Sequence, residues 1–199
     1  LPGEVGHQRQ LVLAGSTLAY VLNRGLSQVD WVNLTTKEQG VALARGQAVA
    51  QAPVVGQVES IALVPPPVQG PDSAKAAELV ALDAADRLWW LRPGLVEALP
   101  KPASPPWMAV DHLAGFQGRL YALDRSTGQI YRYEAIGGSF PRFDPQGLPW
   151  FGQAPDLSQV VDLAIDGDIY LRLVDGSLRR YRGGAAQPFA ISGLPAGSP

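Results

Sequence analysis

Gly118-Arg-Leu-Tyr-Ala-Leu-Asp-Arg-Ser-Thr-Gly-Gln-Ile-Tyr-Arg-Tyr133 is the stretch on which the reading of the chain turns. Leu120 and Ala122 alternate with Tyr121 and Leu123, a polar turn follows at 124–128, and Ile130 and Arg132 then alternate with Tyr131 and Tyr133. Period two on both sides of a turn that ends in glycine predicts a β-hairpin.

The design recurs on either side of it. Downstream, Val160-Val-Asp-Leu-Ala-Ile165, Asp168-Ile-Tyr-Leu-Arg-Leu-Val174 and Ser177-Leu-Arg-Arg-Tyr181 are separated by Asp166-Gly167 and Asp175-Gly176, with 188–191 as a further strand. Asp-Gly between alternating runs is among the strongest hairpin signals, because glycine accepts the positive φ such turns require. Upstream, 108–116 leads into the central hairpin through Gln117-Gly118. Runs at 58–64, 78–83 and 87–92, with 95–99 outside them, form an earlier unit, interrupted by Pro65-Pro-Pro and an exposed insertion over 65–77. Prolines cannot donate to a ladder. The first unit comprises 11–14, 17–22, 29–34 and 41–44. A second proline-rich joint spans 100–106, and the aromatic-rich stretch 137–153 predicts a long ordered loop covering a core edge.

Aligning the third strands on Trp31, Trp89, Tyr131 and Arg179 gives a repeat of roughly 40 to 60 residues, each with about four strands. On these residues the run 118–128 resembles the blade repeat of quinoprotein-like propellers, whose signature is Gly-x-Leu-Tyr-Ala-Leu-Asp-x-x-Thr-Gly followed by an aromatic. In its Leu-Tyr, Asp, turn, aromatic order it is also similar to Tyr-Val-Thr-Asn and NHL repeat propellers. Residues 78–83 keep the Ala-Leu-Asp, and Asp168-Ile-Tyr-Leu keeps the Tyr. The resemblance implies an all-β, β-propeller-like fold of about four blades of four antiparallel strands, over approximately 10–50, 56–103, 107–155 and 158–195. Those families usually close with six to eight blades, so four make either a small whole ring or part of a larger one. In the first case 11–14 and 188–191 would pair or pack to close it. In the second, open sheet edges would drive a homodimer.

Composition narrows the function. Lys and Arg number 16 against 18 Asp and Glu, a net charge of −2 with a basic excess in neither half, whereas nucleic-acid or anionic-membrane surfaces carry a basic excess. No apolar run reaches the ~20 residues of a membrane helix, so no insertion by this segment is expected. The absence of cysteine removes disulfides, thiolate metal sites, cysteine nucleophiles and the cysteine pair of quinone-binding relatives. Leu1 is not an initiator Met, so a piece of a longer protein is expected. An extracytoplasmic domain of a membrane-anchored or secreted bacterial protein is one setting that fits.

Candidate chemistry is sparse. His112 beside Asp111 would need a serine such as Ser16, Ser27 or Ser126 to form a triad, no Gly-x-Ser-x-Gly elbow is present, and His7 lies in the N-terminal tail. Glu59, Asp162, Asp166 and Asp168, with Asp175 in addition, are the carboxylates that could hold calcium, the one cofactor considered, although Asp-Gly is favoured at hairpins for its backbone alone. Arg172 and Arg180 could meet an anion or a peptide carboxylate, against a solvated face neutralised by Asp162, Asp168 and Asp175. Trp89 and Trp90 should each face a neighbouring blade. The expected function is a non-enzymatic interaction or ligand-binding scaffold, taking a protein or small-molecule ligand through Asp111, His112, Asp162, Arg172 and Arg180. The rival is a lactonase-like or glycan-processing propeller hydrolase with a metal in its central channel.

Overall fold

In a computed structural model, which describes residues 9–66, 77–92, 94–136 and 142–189, each alternating run becomes a strand. Blade 1 comprises β1 (Arg9–Ala14), β2 (Leu18–Asn23), β3 (Gln28–Asn33) and β4 (Gln39–Ala44). Blade 2 comprises β5 (Val58–Val64), β6 (Glu78–Asp83), β7 (Leu88–Arg92) and β8 (Leu95–Leu99). Blade 3 holds β9 (Val110–Phe116), β10 (Arg119–Asp124), β11 (Gln129–Glu134) and β12 (Leu148–Pro149), and blade 4 holds β13 (Val160–Ile165), β14 (Ile169–Leu173), β15 (Leu178–Arg182) and β16 (Ala185–Gln187). All four sheets are antiparallel meanders, and together they make a four-bladed β-propeller whose inner strands β1, β5, β9 and β13 line one central groove of about 560 Å³.

Both faces of the middle sheets are apolar, and both are buried. Leu120 and Ala122 of β10 pack with Val80 and Leu82 of blade 2, while Tyr121 and Leu123 pack with Ile169 and Leu171 of blade 4. A third cluster joins Leu22 and Val29 of blade 1 to Ile61 and Trp89 of blade 2. Trp89 thus faces blade 1, whereas Trp90, on the opposite side of β7, donates to Glu78 and lies under Arg92 at 4.0 Å. Phe143 and Phe151 of the aromatic-rich stretch are buried in the second and third interfaces, as the loop reading expects. Phe140 lies outside the described residues, as do His7, positions 67–76 of the proline insertion, and Ala190 and Ile191.

Asp-Gly turns appear where expected, with Gly167 at φ 119° and Gly176 at φ 83°. Three expectations need correction. Trp31 is not in register with Trp89, Tyr131 and Arg179. Asp30 is, because it pairs with Val21 as Trp89 pairs with Ala81 and Tyr131 with Ala122. One residue of slip exchanges the faces of a strand, so Trp31 points to blade 2 and Asp30 away from it. Blade 3 takes its outer strand from within the aromatic loop, where Pro149 sits opposite Tyr131 on the sheet edge, a position that needs no donor. The outer strand of blade 4 is Ala185–Gln187, and among the described residues β1 pairs with β2 alone, so no described strand closes the ring by pairing. The joint at 100–106 is tied down, since Ala103 and Ser104 donate backbone bonds to Pro145 and Gly147 donates to Ser104.

The Ala-Leu-Asp motif has a structural role. Asp83, fully buried at the end of β6, accepts from the Gly56 and Ala85 N–H groups, the Trp89 indole and Arg87. Asp124, at the same place in blade 3, accepts from the Met108, Ser126 and Thr127 N–H groups. Each carboxylate ties the second strand's turn to the chain leading into its own inner strand. Burial pushes the Asp83 carboxyl up, but the bonds from Arg87, Gly56, Trp89 and Ala85 outweigh it and hold it below the usual carboxylate range.

Asp83→Ala, which would orphan these donors, is expected to destabilise by about 3 kcal/mol or more in urea titration. Because its folded value is depressed, Asp83 contributes stability that is complete above the ordinary carboxylate range and is lost as pH falls below it. Wild-type stability should therefore drop more steeply than that of Asp83→Asn on acidification below about pH 4. Gly115 of β9 lies so near β5 that a Cβ there would stand 2.0 Å from the Leu63 carbonyl oxygen. Gly115→Val should cost about 3 kcal/mol in the same assay, and an unchanged midpoint would show that β5 and β9 can separate freely.

Candidate functional site

Three inner strands begin with a bulge. Val58 pairs with Asp83 and Ser60 with Leu82, leaving Glu59 extra. Asp111 is extra between Val110 and His112, and Val161 between Val160 and Asp162. A bulge re-aims the side chain it inserts. Here it brings Glu59 and Asp111 to one mouth of the groove, a shallow cavity of about 240 Å³ lined also by Arg24, Gln57 and His112.

His112 is buried, and both of its ring nitrogens are engaged: Nε2 donates to the Val161 carbonyl at 2.7 Å and Nδ1 is hydrogen-bonded with Asp111 Oδ1 at 2.7 Å. Asp111 also receives Arg125 at 2.8 Å. Burial raises the Asp111 carboxyl, yet His112 and Arg125 together hold it below the ordinary range. Burial pushes Glu59 up, and neighbouring Asp111 adds to the rise against the opposing pull of Arg24. The mouth therefore pairs a carboxylate that stays ionised with one that takes up a proton more readily.

The structure brings Asp111, His112 and Glu59 together and separates the remaining candidates. Asp162 lies 3.8 Å from Arg172, on the far face of blade 4. Asp168 is buried between Arg180 and Arg182, while Asp166 accepts from the Asp168 N–H and Tyr170 hydroxyl, and Asp175 accepts from Ser177. Among the described residues no group of three or more His, Asp or Glu side chains is gathered as a metal site, so the four proposed ligands do not converge. Ser126 donates to Asp124 and Ser27 to the Arg24 carbonyl, and neither is bonded to His112. Arg24, Gln57 and Arg125 were not singled out by sequence. Nothing in their spacing marks them, because a turn and a linker carry them to the mouth.

No family model matches the chain, and no curated protein matches it. Among solved structures, BamB from Moraxella catarrhalis is similar at a TM-score of 0.50 and 10% identity, over 90% of this chain and 45% of that one. YCF48 bound to D1 peptide gives 0.48 and 13%, over 92% and 53%, and virginiamycin B lyase from Staphylococcus aureus gives 0.45 and 12%, over 92% and 57%. These are propeller proteins, and the chain spans about half their length. At such identities the likeness is one of fold.

His112→Phe removes both bonds and leaves Val161 without its donor, so it should lower stability by about 1–3 kcal/mol in urea titration. His112→Asn, which can keep one bond, should recover part of that loss. Equal losses for the two would argue that the His112 bonds do not hold β9 to β13.

Proposed function

We propose that the chain is a non-enzymatic binding propeller whose mouth, between Glu59 and Asp111, receives a cationic group of a protein or small-molecule ligand, such as a lysine or arginine side chain. The observation that carries this reading is the state of His112: neither ring nitrogen is free to take a proton from a nucleophile, while two carboxylates are lifted beside it by bulges. Acid–base catalysis needs a base within reach of the proton it abstracts, and a histidine whose two ring nitrogens are both hydrogen-bonded to fixed protein groups orders the mouth instead. A carboxylate pair of unequal acidity suits charge-assisted recognition of a guanidinium or ammonium. Bulge, inner strand and blade packing hold both carboxylates on rigid elements, which limits the ordering entropy lost on binding.

The test is calorimetric titration with the tetrapeptide Gly-Arg-Lys-Gly against its Gly-Gln-Gln-Gly counterpart. The basic peptide should bind preferentially, and Glu59→Gln should weaken it about tenfold, the equivalent of one charged hydrogen bond. Protonation of Glu59 removes the charge that attracts the ligand. Because its pKa is raised, binding should begin to fall at a higher pH than an ordinary glutamate would give. Equal affinity for both peptides, or an unchanged response in Glu59→Gln, would refute the assignment.

A further inference from the structure

Sheet register places Gln10, Ser60, His112 and Asp162 at the same position of the four inner strands, opposite Leu22, Leu82, Leu123 and Arg172. In three blades this residue fastens the next inner strand. The Gln10 amide donates to the Ile61 carbonyl at 2.8 Å and accepts the Ile61 N–H at 3.0 Å, Ser60 Oγ accepts the Leu113 N–H at 3.0 Å, and His112 reaches the Val161 carbonyl. Among the described residues Asp162 holds the adjacent Leu163 N–H and Arg172, and its side chain is half exposed.

The opposite end of the array is open in the matching way. Ile61, Leu113 and Leu163, which each follow the fastening residue, are 0%, 2% and 7% exposed against the preceding blade, whereas their equivalent Leu11 is 62% exposed and Leu13 on the same face 55%. Val41 is exposed beside a hollow of about 530 Å³ that it lines with Val21, Asp30 and Val32. No hydrophobic cluster of the described residues joins blade 4 to blade 1. Blade 1 thus carries an inter-blade face without a blade on it.

We infer that a second copy of this chain covers it, blade 4 of each copy packing on blade 1 of the other around a two-fold axis, so that two chains complete one ring of eight blades. Complementarity selects this pairing. Trp31 of blade 1 and Trp89 of blade 2 share one core; at the equivalent strand positions the open face of blade 4 presents Arg180, which with Arg182 shares the single carboxylate of Asp168, and that of blade 1 presents Asp30. The Asp162 carboxylate stands where Gln10 and Ser60 accept the N–H of the following strand, and Leu11 supplies the equivalent N–H. Ala164 and Tyr170 give blade 4 an apolar centre, with Phe189 edge-on to Tyr170 at 5.5 Å. Packing blade 1 on blade 1 would instead set Asp30 against Asp30, a like-charge contact that disfavours that arrangement. Within one chain β1 and β13 line the same groove, yet Leu11 and Leu13 remain exposed, so its own blade 4 does not cover them. A heterologous contact that closes after two copies leaves no face unpaired.

Sedimentation equilibrium of the 199-residue chain should give twice the chain mass. Leu11→Asp on one face and Arg180→Asp on the other should each halve it, with Arg182 still pairing Asp168 in the second variant. The charge exchange Asp30→Arg with Arg180→Asp should restore the dimer. Leu13→Asp repeats the first test should Leu11→Asp unfold, as judged by circular dichroism. A monomeric wild type overturns the inference. So does a dimer lost in Leu11→Asp but intact in Arg180→Asp, which would indicate blade 1 on blade 1, and so does failure of the exchange to restore association.

Discussion

A four-stranded sheet with apolar side chains on both faces has to be covered twice, and this requirement organises the whole molecule. Five of the six residues of β6 and of β10 are buried, a pattern that a sheet with one wet face does not produce. The only neighbours that suit such a sheet on both sides are others of the same kind, set face to face with side chains interdigitated. Radial arrangement follows, as do the three shared cores and the close approach of β5 and β9 at Gly115. Among the described residues no blade covers the outward faces of blade 1 and blade 4, and the two differ in character. On blade 4, Arg172 occupies the position that Leu22, Leu82 and Leu123 hold elsewhere.

Packing alone would let the sheets slide, since apolar burial is non-directional. Direction comes from a few buried or half-buried polar groups. Asp83 and Asp124 fix each turn to the linker that feeds its own blade. Gln10, Ser60 and His112 stitch each inner strand to the next. Every one of these groups is satisfied by backbone N–H or C=O, by an indole or by a paired guanidinium, which is the condition under which a buried polar group specifies a structure rather than weakening it. The same stitching explains why His112, the residue whose type most suggests chemistry, serves position instead.

The mouth is a by-product of this architecture. Bulges at the starts of β5 and β9 strengthen local twist and insert one residue each, and at those two places the inserted residue is acidic. Blade 4 inserts Val161, whose carbonyl receives His112. An acidic mouth is therefore confined to the junction of blades 2 and 3, with Arg24 supplied from the turn that follows β2. A rigid array of blades presenting a small charged concavity at one end of a groove is an arrangement suited to recognition.

The strands and hairpin turns of this protein follow from its sequence, and the reason is local. Alternation, Asp-Gly and proline act through the φ, ψ and donors of the residues that carry them, so runs such as 118–133 and 160–181 specify their structure without reference to the rest of the chain. The blade count follows as well, because the period of the repeat is a property of the chain itself. What depends on tertiary structure is whatever rests on two distant segments meeting. The outer strand of blade 3 has two residues, one of them proline, and exists only because β11 offers it an edge. The face on which Trp31 lies was set by pairing with β2, and aromatic spacing pointed to the wrong residue by one. Of the carboxylates close in sequence, Asp162 and Asp168 were drawn to separate arginines and Asp166 to its own turn and the Tyr170 hydroxyl, while Glu59 and Asp111, far apart in the chain, were brought to one mouth by bulges. Those placements are decided by long-range pairing and packing, which spacing along a single chain does not encode.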